Sequence, residues 1–463
     1  MTTMQTPATF DDLERRLGGE LIRPGDDAYD EARRVWNGMF DRRPAAIARV
    51  QGALDVVAVV DFARETRAEL AVRGGGHSSA GYSTVDDGIV LDLSRMRGVR
   101  VDPQRKVAFA QAGALWGDVD RETQAYGLAV PGGQISHTGI AGLTLGGGIG
   151  WLSRQHGLTI DNLLSVDLVT ADGRLVTASA DEHPDLFWAL RGGSGNFGVV
   201  VSFEYRLHDL GPLVLGGPLL YTLDDAAAVL RNAREFFADA PDEVSLWLVL
   251  THVPPAPPFP EERWGTPVLA VVPFCTDLER GPALLEPLTS FGSPIANLHG
   301  PIPYAALQSA LDDVDPHGHR YWERGDYLAG LSDGLIDALV AGGRATSSPL
   351  TEVLLFPMGG AIARVPADAT AFGDRSAPWA VWIASQWTDP AEDAAHRDWT
   401  RAFAATLEPW TTGAVYVNAI GGDVTEARKV AAFGGREKLE RLREVKRRWD
   451  PDNLFHRNHN IAP

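Results

Sequence analysis

The stretch VRGGGHS, residues 72–78, decides how this chain is read. Three consecutive glycines cost backbone entropy, so they are kept where the main chain needs positive φ or where something must approach it closely. They deliver one reactive side chain, His77. Upstream, AAIARV (45–50), the helical pattern of 54–66 and ELAV (69–72) read as strand, helix, strand. The glycine loop therefore falls at the carboxyl end of a strand, where open α/β units place ligands. GIVLDLS (88–94) and KVAFAQAG (106–113) add strands, WGDVDRETQAYG (116–127) a helix, and SVDLVTADGRLVTAS (165–179) two β-rich runs with an Ala-Asp-Gly hairpin signal.

A second glycine-rich segment, PGGQISHTGIAGLTLGGGIGWLSRQHGLTIDN, spans 131–162. With the first it offers two loops whose bare N–H groups suit an anion nest for a pyrophosphate without any lysine. Each loop alone is equally compatible with a set of tight turns. A third motif, GSGNFG (193–198), matches the G-x-G-x-x-G spacing of a Rossmann site. That fingerprint needs a strand before it and a helix after it, because the helix start holds the pyrophosphate. Here helix-like DLFWALR (185–191) precedes and strand-like VVVSFEY (199–205) follows. The inverted order argues against a nicotinamide-dependent dehydrogenase.

The length of 463 residues exceeds what one hydrophobic core usually serves, so two domains are expected. Lys plus Arg number 42 against 61 Asp plus Glu, a net charge of −19 with the acidic residues scattered, which argues against nucleic acid and membrane surfaces as partners. Small uncharged or cationic substrates fit better. No stretch offers about 18 uninterrupted apolar residues and the start has no leader pattern, so a cytoplasmic protein is expected. The single cysteine, Cys275, permits no internal disulfide, and without an HExxH or similar cluster no metal is expected. Oligomeric state does not follow from the sequence.

After LGPLVLGG (210–217) the texture changes to long strand patterns (EVSLWLVLTHV, VLAVVPFC, TEVLLFPM, PWAVWIASQW) alternating with helical ones. This alternation suits an antiparallel sheet covered by helices on one face. The final helix pattern carries Leu439, Leu442, Val445 and Trp449 along one face and is expected to dock back on the first domain.

RGGGHS, SHTGIAGLTLGGGIGWLS, DLFWALRGGSGNFGVV and the closing WDPDNLFHRNHNIAP, preceded by YVN at 416–418, occur in one order over nearly the whole chain. Together they resemble the FAD-linked oxidases of the berberine bridge enzyme-like group in the vanillyl-alcohol oxidase superfamily. The resemblance implies an α+β, two-domain PCMH-type FAD-binding fold. Its FAD domain is discontinuous, residues 1–211 plus a returning segment 411–463, around an antiparallel-sheet-plus-helices substrate domain at 212–410. It implies FAD bonded through the 8α-methyl to His77, an imidazole being a competent nucleophile when neutral. The cofactor would be held by Arg73, Gly74, Gly75, Gly76 and Ser78 around that histidine. Ser136, His137, Thr138, Gly139, Gly142, Gly147, Gly148 and Gly150 would contribute from the second loop, Asn196 and Val199 from the third motif, and Tyr416, Asn418 and Asn458 from the returning end. Many relatives add a cysteine link near the position of Ile135, so a single covalent link is expected. Thr138 stands where the family's residue bears on oxygen access.

Three residues are candidates for the chemistry. The alternation of VYVNAI places Tyr416 and Asn418 on one strand face, where Tyr416 either orients substrate and handles a proton or is simply a buried, hydrogen-bonded tyrosine. Arg324 stands where the family commonly has lysine; it keeps the charge without serving as a base, or it is a surface ion pair with its acidic neighbours. Glu352, alone on an apolar strand, is either a base of raised pKa or an edge residue facing water. The implied function is an H2O2-forming, FAD-dependent oxidase taking a hydride from an alcohol or amine carbon of a small to medium natural product or alkaloid-like molecule, with O2 as acceptor. The alternative is a flavoprotein that sequesters a redox-active compound, as mitomycin-resistance relatives do.

Overall fold

The computed structural model describes residues 8–257, 259–422 and 424–463, so the first seven residues of the expected FAD domain, Pro258 of the expected substrate domain and Asp423 of the returning segment lie outside it. Strands Ala46–Arg49, Ile89–Asp92 and Leu70–Arg73 pair in parallel, with Glu20–Ile22 added antiparallel at one edge. The helix Ala53–Thr66, which links strand Ala46–Arg49 to strand Leu70–Arg73, buries Val56, Val59, Val60 and Ala63 at helical spacing and ends on Arg67 at φ 58°. A second, antiparallel sheet runs in the order 99–102, 107–111, 199–206, 163–169, 175–179, and contains the expected hairpin.

The larger sheet carries its main path through 296–297, 219–222, 267–275, 244–252, 352–357, 379–387 and 320–328, all antiparallel. Period-two alternation separates its faces. Val353, Leu355, Val381 and Ile383 join a buried cluster with residues of helices Ala226–Phe236, Asp333–Arg344 and Asp393–Leu407. Glu352, Leu354, Phe356, Trp382 and Ala384, on the other face, line a cavity. The fold is thus the expected α+β arrangement, with helices on one face of an antiparallel sheet.

Two large hydrophobic cores follow the chain's return, with a third cluster between them that joins Ile149, Trp151 and Leu158 to Trp247, Phe274 and Phe356. One gathers residues between Leu13 and Leu207 with Val415, Leu439, Leu442, Trp449 and Ile461; the other draws on residues from Leu215 to Leu407. The returning chain runs along strand Arg320–Leu328: Tyr327 N donates to Ala414 O at 3.2 Å, Thr412 N to Tyr327 O at 2.8 Å, and Arg324 forms a bridge with Ile420. It does not form the strand that the alternation at 416–419 predicts. Val417–Ala419 is one 3-10 turn, and Tyr416 and Asn418 approach each other across that turn. Farther on, Lys446 is fully buried and donates to Asn196 O, Phe455 O and Asp450 Oδ2 at 2.7, 2.9 and 2.6 Å, which fastens the closing segment to the third glycine motif.

Candidate active site

A cavity of about 380 Å³ lies between the glycine loops and the bare face of the large sheet. Its floor is backbone. Gly74, Gly75 and Gly76 follow strand Leu70–Arg73, and Gly76 takes φ 75°, a conformation other residues adopt only with strain. The second loop is fastened to the segment at 114–116 by Trp116 N donating to Thr138 O and Ile140 N to Ala114 O, both at 3.0 Å. The two glycine loops meet at Gly75 and Gly139: a Cβ on Gly75 would stand 2.3 Å from Gly139 N, and one on Gly139 at 2.3 Å from Gly75 N. Gly142 and Gly195 instead have open space where a Cβ would point. Glycine is required at the first pair by contact between main chains, and the other two leave room for a ligand to lie on the backbone.

His77 emerges from this floor. Its Nε2 lies 2.8 Å from His137 Nδ1, and Trp36 stacks on its ring at 5.1 Å. Burial, and then the neighbouring His137 and His317, hold its pKa well below the ordinary histidine value, so it is neutral. Three ring nitrogens, from His77, His137 and His317, lie within 4.8 Å of one another, a grouping of the kind that takes a metal ion. The expectation of no metal rested on local spacing and did not foresee this; two of the three are joined to each other by the hydrogen bond.

Tyr416 closes the site. Its hydroxyl oxygen accepts from Gly148 N at 3.1 Å and from Asn418 Nδ2 at 3.0 Å, which leaves its own proton for the cavity it lines. Burial pushes its pKa up to about 12 against the lowering effect of those two bonds, so it is a donor at neutral pH. The opposite wall is acidic and aromatic. Burial raises Glu352 to about 7 and Glu323 to about 7, the latter despite the Ser79 and Trp382 side chains beside it. Trp247 and Phe356 stack at 4.5 Å on the same wall.

Of the residues expected to hold a cofactor, Gly74, Gly75, Gly76, His77, Ser78, Thr138, Gly139, Gly142, Val199, Tyr416, Asn418 and Asn458 line the cavity. Others stand behind it. Arg73 faces its register partner Asp92 at 2.8 Å, so its charge is neutralised before it reaches a ligand. Ser136 is bound through N and Oγ to Asp312, Gly147 packs near Phe372, Gly148 and Gly150 donate to Tyr416 and Ser153, and Asn196 accepts from Ile461 N. Arg324 follows the second of its two readings, the ion pair with an acidic neighbour. Strand alternation turns it away from Glu323, and it pairs with Asp326 at 3.1 Å and Glu408 at 3.3 Å, outside the cavity lining. Glu352 is the reverse case, a cavity residue on an inner strand and not an edge residue facing water. Trp36 and Asp315 were missed because no motif covers them, and Glu323 because the family match in its segment drew the choice to Arg324; the available signal was the parity that Glu323 shares with Tyr321 and Tyr327.

Several buried polar atoms on or beside this lining have no partner: Ser83 Oγ, Gln134 Nε2, Asn458 Oδ1 and His459 Nδ1. Such groups are costly unless a ligand or water meets them. With the exposed backbone of the glycine floor, they fit a long, polar dinucleotide, and a fold that seats one against a substrate chamber is that of a flavin-dependent oxidoreductase. The known proteins agree. The FAD binding domain family matches residues 44–179, and the family described as berberine and berberine-like matches residues 415–462. An FAD-linked oxidoreductase of Dictyostelium discoideum is 31% identical over 96% of this chain and 95% of its own length. The (R)-6-hydroxynicotine oxidase of Paenarthrobacter nicotinovorans is 30% identical over 96% of this chain and 97% of its own. The crystal structure of 6-hydroxy-D-nicotine oxidase from Arthrobacter nicotinovorans superimposes with a TM-score of 0.86 at 27% identity, over 96% of this chain and 98% of that one. This chain belongs to the berberine bridge enzyme-like family of FAD-linked oxidoreductases. No helix among the described residues is long and apolar enough to cross a membrane.

Proposed function

We propose that this protein is an FAD-dependent oxidase whose flavin is joined to His77 alone. It takes a hydride from an alcohol or amine carbon of a small to medium organic molecule and passes the electrons to O2, giving H2O2. The observation that carries the reading is the neutral His77 ring standing out of a glycine floor into the cavity, its Nε2 engaged by His137. A second tether has no support, since Ile135 lines the cavity where a cysteine would be needed and Cys275 is buried in the other core.

The glycines of both loops, Ser78, Thr138, Val199 and Asn458 would hold the cofactor, which supplies a two-electron acceptor when bound. Tyr416 donates its hydroxyl proton to a ligand atom above the floor. Glu352, poised near neutrality, accepts the proton that a substrate O–H or N–H gives up. Arg324 has no part in this. Residues 1–211 with 411–463 form the flavin domain and 212–410 the substrate domain, a division supported by the two large cores.

Acid precipitation of the purified protein tests the tether. Flavin retained in the pellet on the peptide containing His77, and lost to the supernatant in His77→Ala, is the expected result. Flavin released from the unaltered protein removes the covalent bond, and a colourless protein that takes up no FAD overturns the reading. Peroxide release over many turnovers separates an oxidase from a protein that binds one redox-active molecule and stops.

A further inference from the structure

The substrate side of the cavity carries an unbalanced cluster of carboxyl groups. Glu323 and Glu352 lie on different strands, yet both are in register with Ala384 on the strand between them. Two interstrand spacings separate their Cα atoms by roughly 10 Å, and both side chains rise from the same sheet face over a single methyl group. Asp315 joins them from the loop above: its backbone oxygen accepts from Trp36 Nε1 at 3.2 Å, and it lines the same cavity. Its carboxyl lies close enough to Glu323, Glu352 and Asp312 to feel their charge, which makes the three carboxyls electrostatic neighbours.

Among the described residues no cation answers them. The arginines of that strand are engaged elsewhere, Arg320 by Asp393 and Arg324 by Asp326 and Glu408. The arginine that lines the cavity, Arg457, donates to Thr84 O and lies 3.9 Å from Glu69. The other titratable groups beside the cluster are Tyr321 and Asp312, with His77 on the cavity floor. Like carboxyls gathered without a cationic partner in a buried pocket disfavour one another, so a fold that keeps them has a use for the uncompensated charge. Around them Trp247, Phe356, Leu354 and Trp382 form an apolar frame, whose aromatic faces also attract positive charge.

We propose that this chamber recognises an organic cation: a protonated amine on a ring-sized apolar body, its nitrogen set among Glu323, Glu352 and Asp315 and its ring against Trp247 and Phe356. The proposal rests on the oxidase reading only in naming which of its two substrate classes the site takes, the amine and not the alcohol. A bound ammonium replaces protons on the carboxyls, so binding near neutral pH releases protons to the buffer. Anionic molecules are refused by the same charge.

Calorimetry on the purified protein, with three probes of one shape, tests this: 4-phenylpiperidine, 4-phenylcyclohexanol and 4-phenylcyclohexanecarboxylate. The amine is expected to bind about tenfold or more tighter than the alcohol, and the carboxylate more weakly than either. Repeating the amine titration in buffers of different ionisation enthalpy reads proton release. Glu323→Gln and Glu352→Gln each reduce the amine's advantage, and the double substitution brings amine and alcohol to within about twofold. Thermal melts confirm that the variants fold. An alcohol or carboxylate bound as tightly as the amine, no amine binding, or an amine preference unchanged in the double variant overturns the proposal. A colourless protein defeats the oxidase reading on its own, while the heat of binding still reports the charge preference.

Discussion

The two walls of the cavity are built on opposite principles. The flavin-side floor is main chain: Gly75 and Gly139 touch backbone to backbone, and their neighbours present N–H groups with no side chain between. The substrate-side wall is side chain throughout, with Glu323, Glu352, Trp382 and Phe356 projecting from strands whose backbones are already paired. A floor of that kind recognises by shape and has nowhere to retreat; a wall of that kind recognises by chemistry and can be altered one group at a time while the sheet stays intact.

The sharpest way to break the comparison is Gly75→Ala. The new methyl would meet Gly139 N at 2.3 Å and Gly139 Cα at 2.6 Å, and neither atom belongs to a side chain that can swing aside. The expected result is near-complete loss of bound flavin and destabilisation of about 3 kcal/mol, read by flavin absorbance and thermal melting. A variant that still loads FAD would show that the two loops are not locked together, and the floor would then be no more rigid than the wall. Gly142→Ala, which points into open space, separates steric conflict between loops from simple crowding of the ligand: it should fold normally and lower only flavin affinity.

Tyr416 stands at the seam, held by the floor through Gly148 N and directed at the chamber. Tyr416→Phe removes an acceptor for two donors as well as the free proton, so about 1–3 kcal/mol is at stake. We expect kcat/KM to fall tens-fold with flavin content unchanged. A fall in flavin content of the same size would assign Tyr416 to the floor alone.

How much of this was legible in the sequence follows the same division. The floor was readable because its parts are contiguous: GGGH and SHTGIAG announce glycines within a few positions of one another, and the structure uses most of them together. What failed there was function assigned by adjacency. Arg73 and Ser136 sit inside the motifs, yet strand pairing gives Arg73 to Asp92, and a loop contact gives Ser136 to Asp312. Tyr416 and Asn418 were paired for the wrong reason, by strand alternation where a 3-10 turn brings them together. The wall was barely legible, because it depends on register. Glu323 and Glu352 are 29 positions apart and meet only because both oppose Ala384, a pairing that no local pattern encodes. The same alternation, applied to strand Arg320–Leu328, would have chosen Glu323 over Arg324.

The smallest effect is the most diagnostic of that wall. Glu323 and Glu352 titrate near 7 in the fold against an ordinary value of 4.5, so above pH 7 both are ionised in folded and unfolded chains alike, and the fold bears the cost of two uncompensated charges. As pH falls through 7 the folded protein takes up protons that the unfolded chain does not yet bind, and the cost disappears by about pH 4. In stability against pH, this pair therefore contributes a loss that is complete in the alkaline range and absent in acid, the reverse of an ion-paired carboxylate. Glu352→Gln should raise stability at pH 8 by about 1–2 kcal/mol, allowing for solvent that reaches the cavity, and change it little at pH 4. A saturating amine should abolish that gain, since the bound cation supplies the compensation that the substitution makes unnecessary. If Glu352→Gln is neutral at pH 8, the carboxyl is already paired or hydrated, and the wall is less distinct from the floor than its geometry indicates.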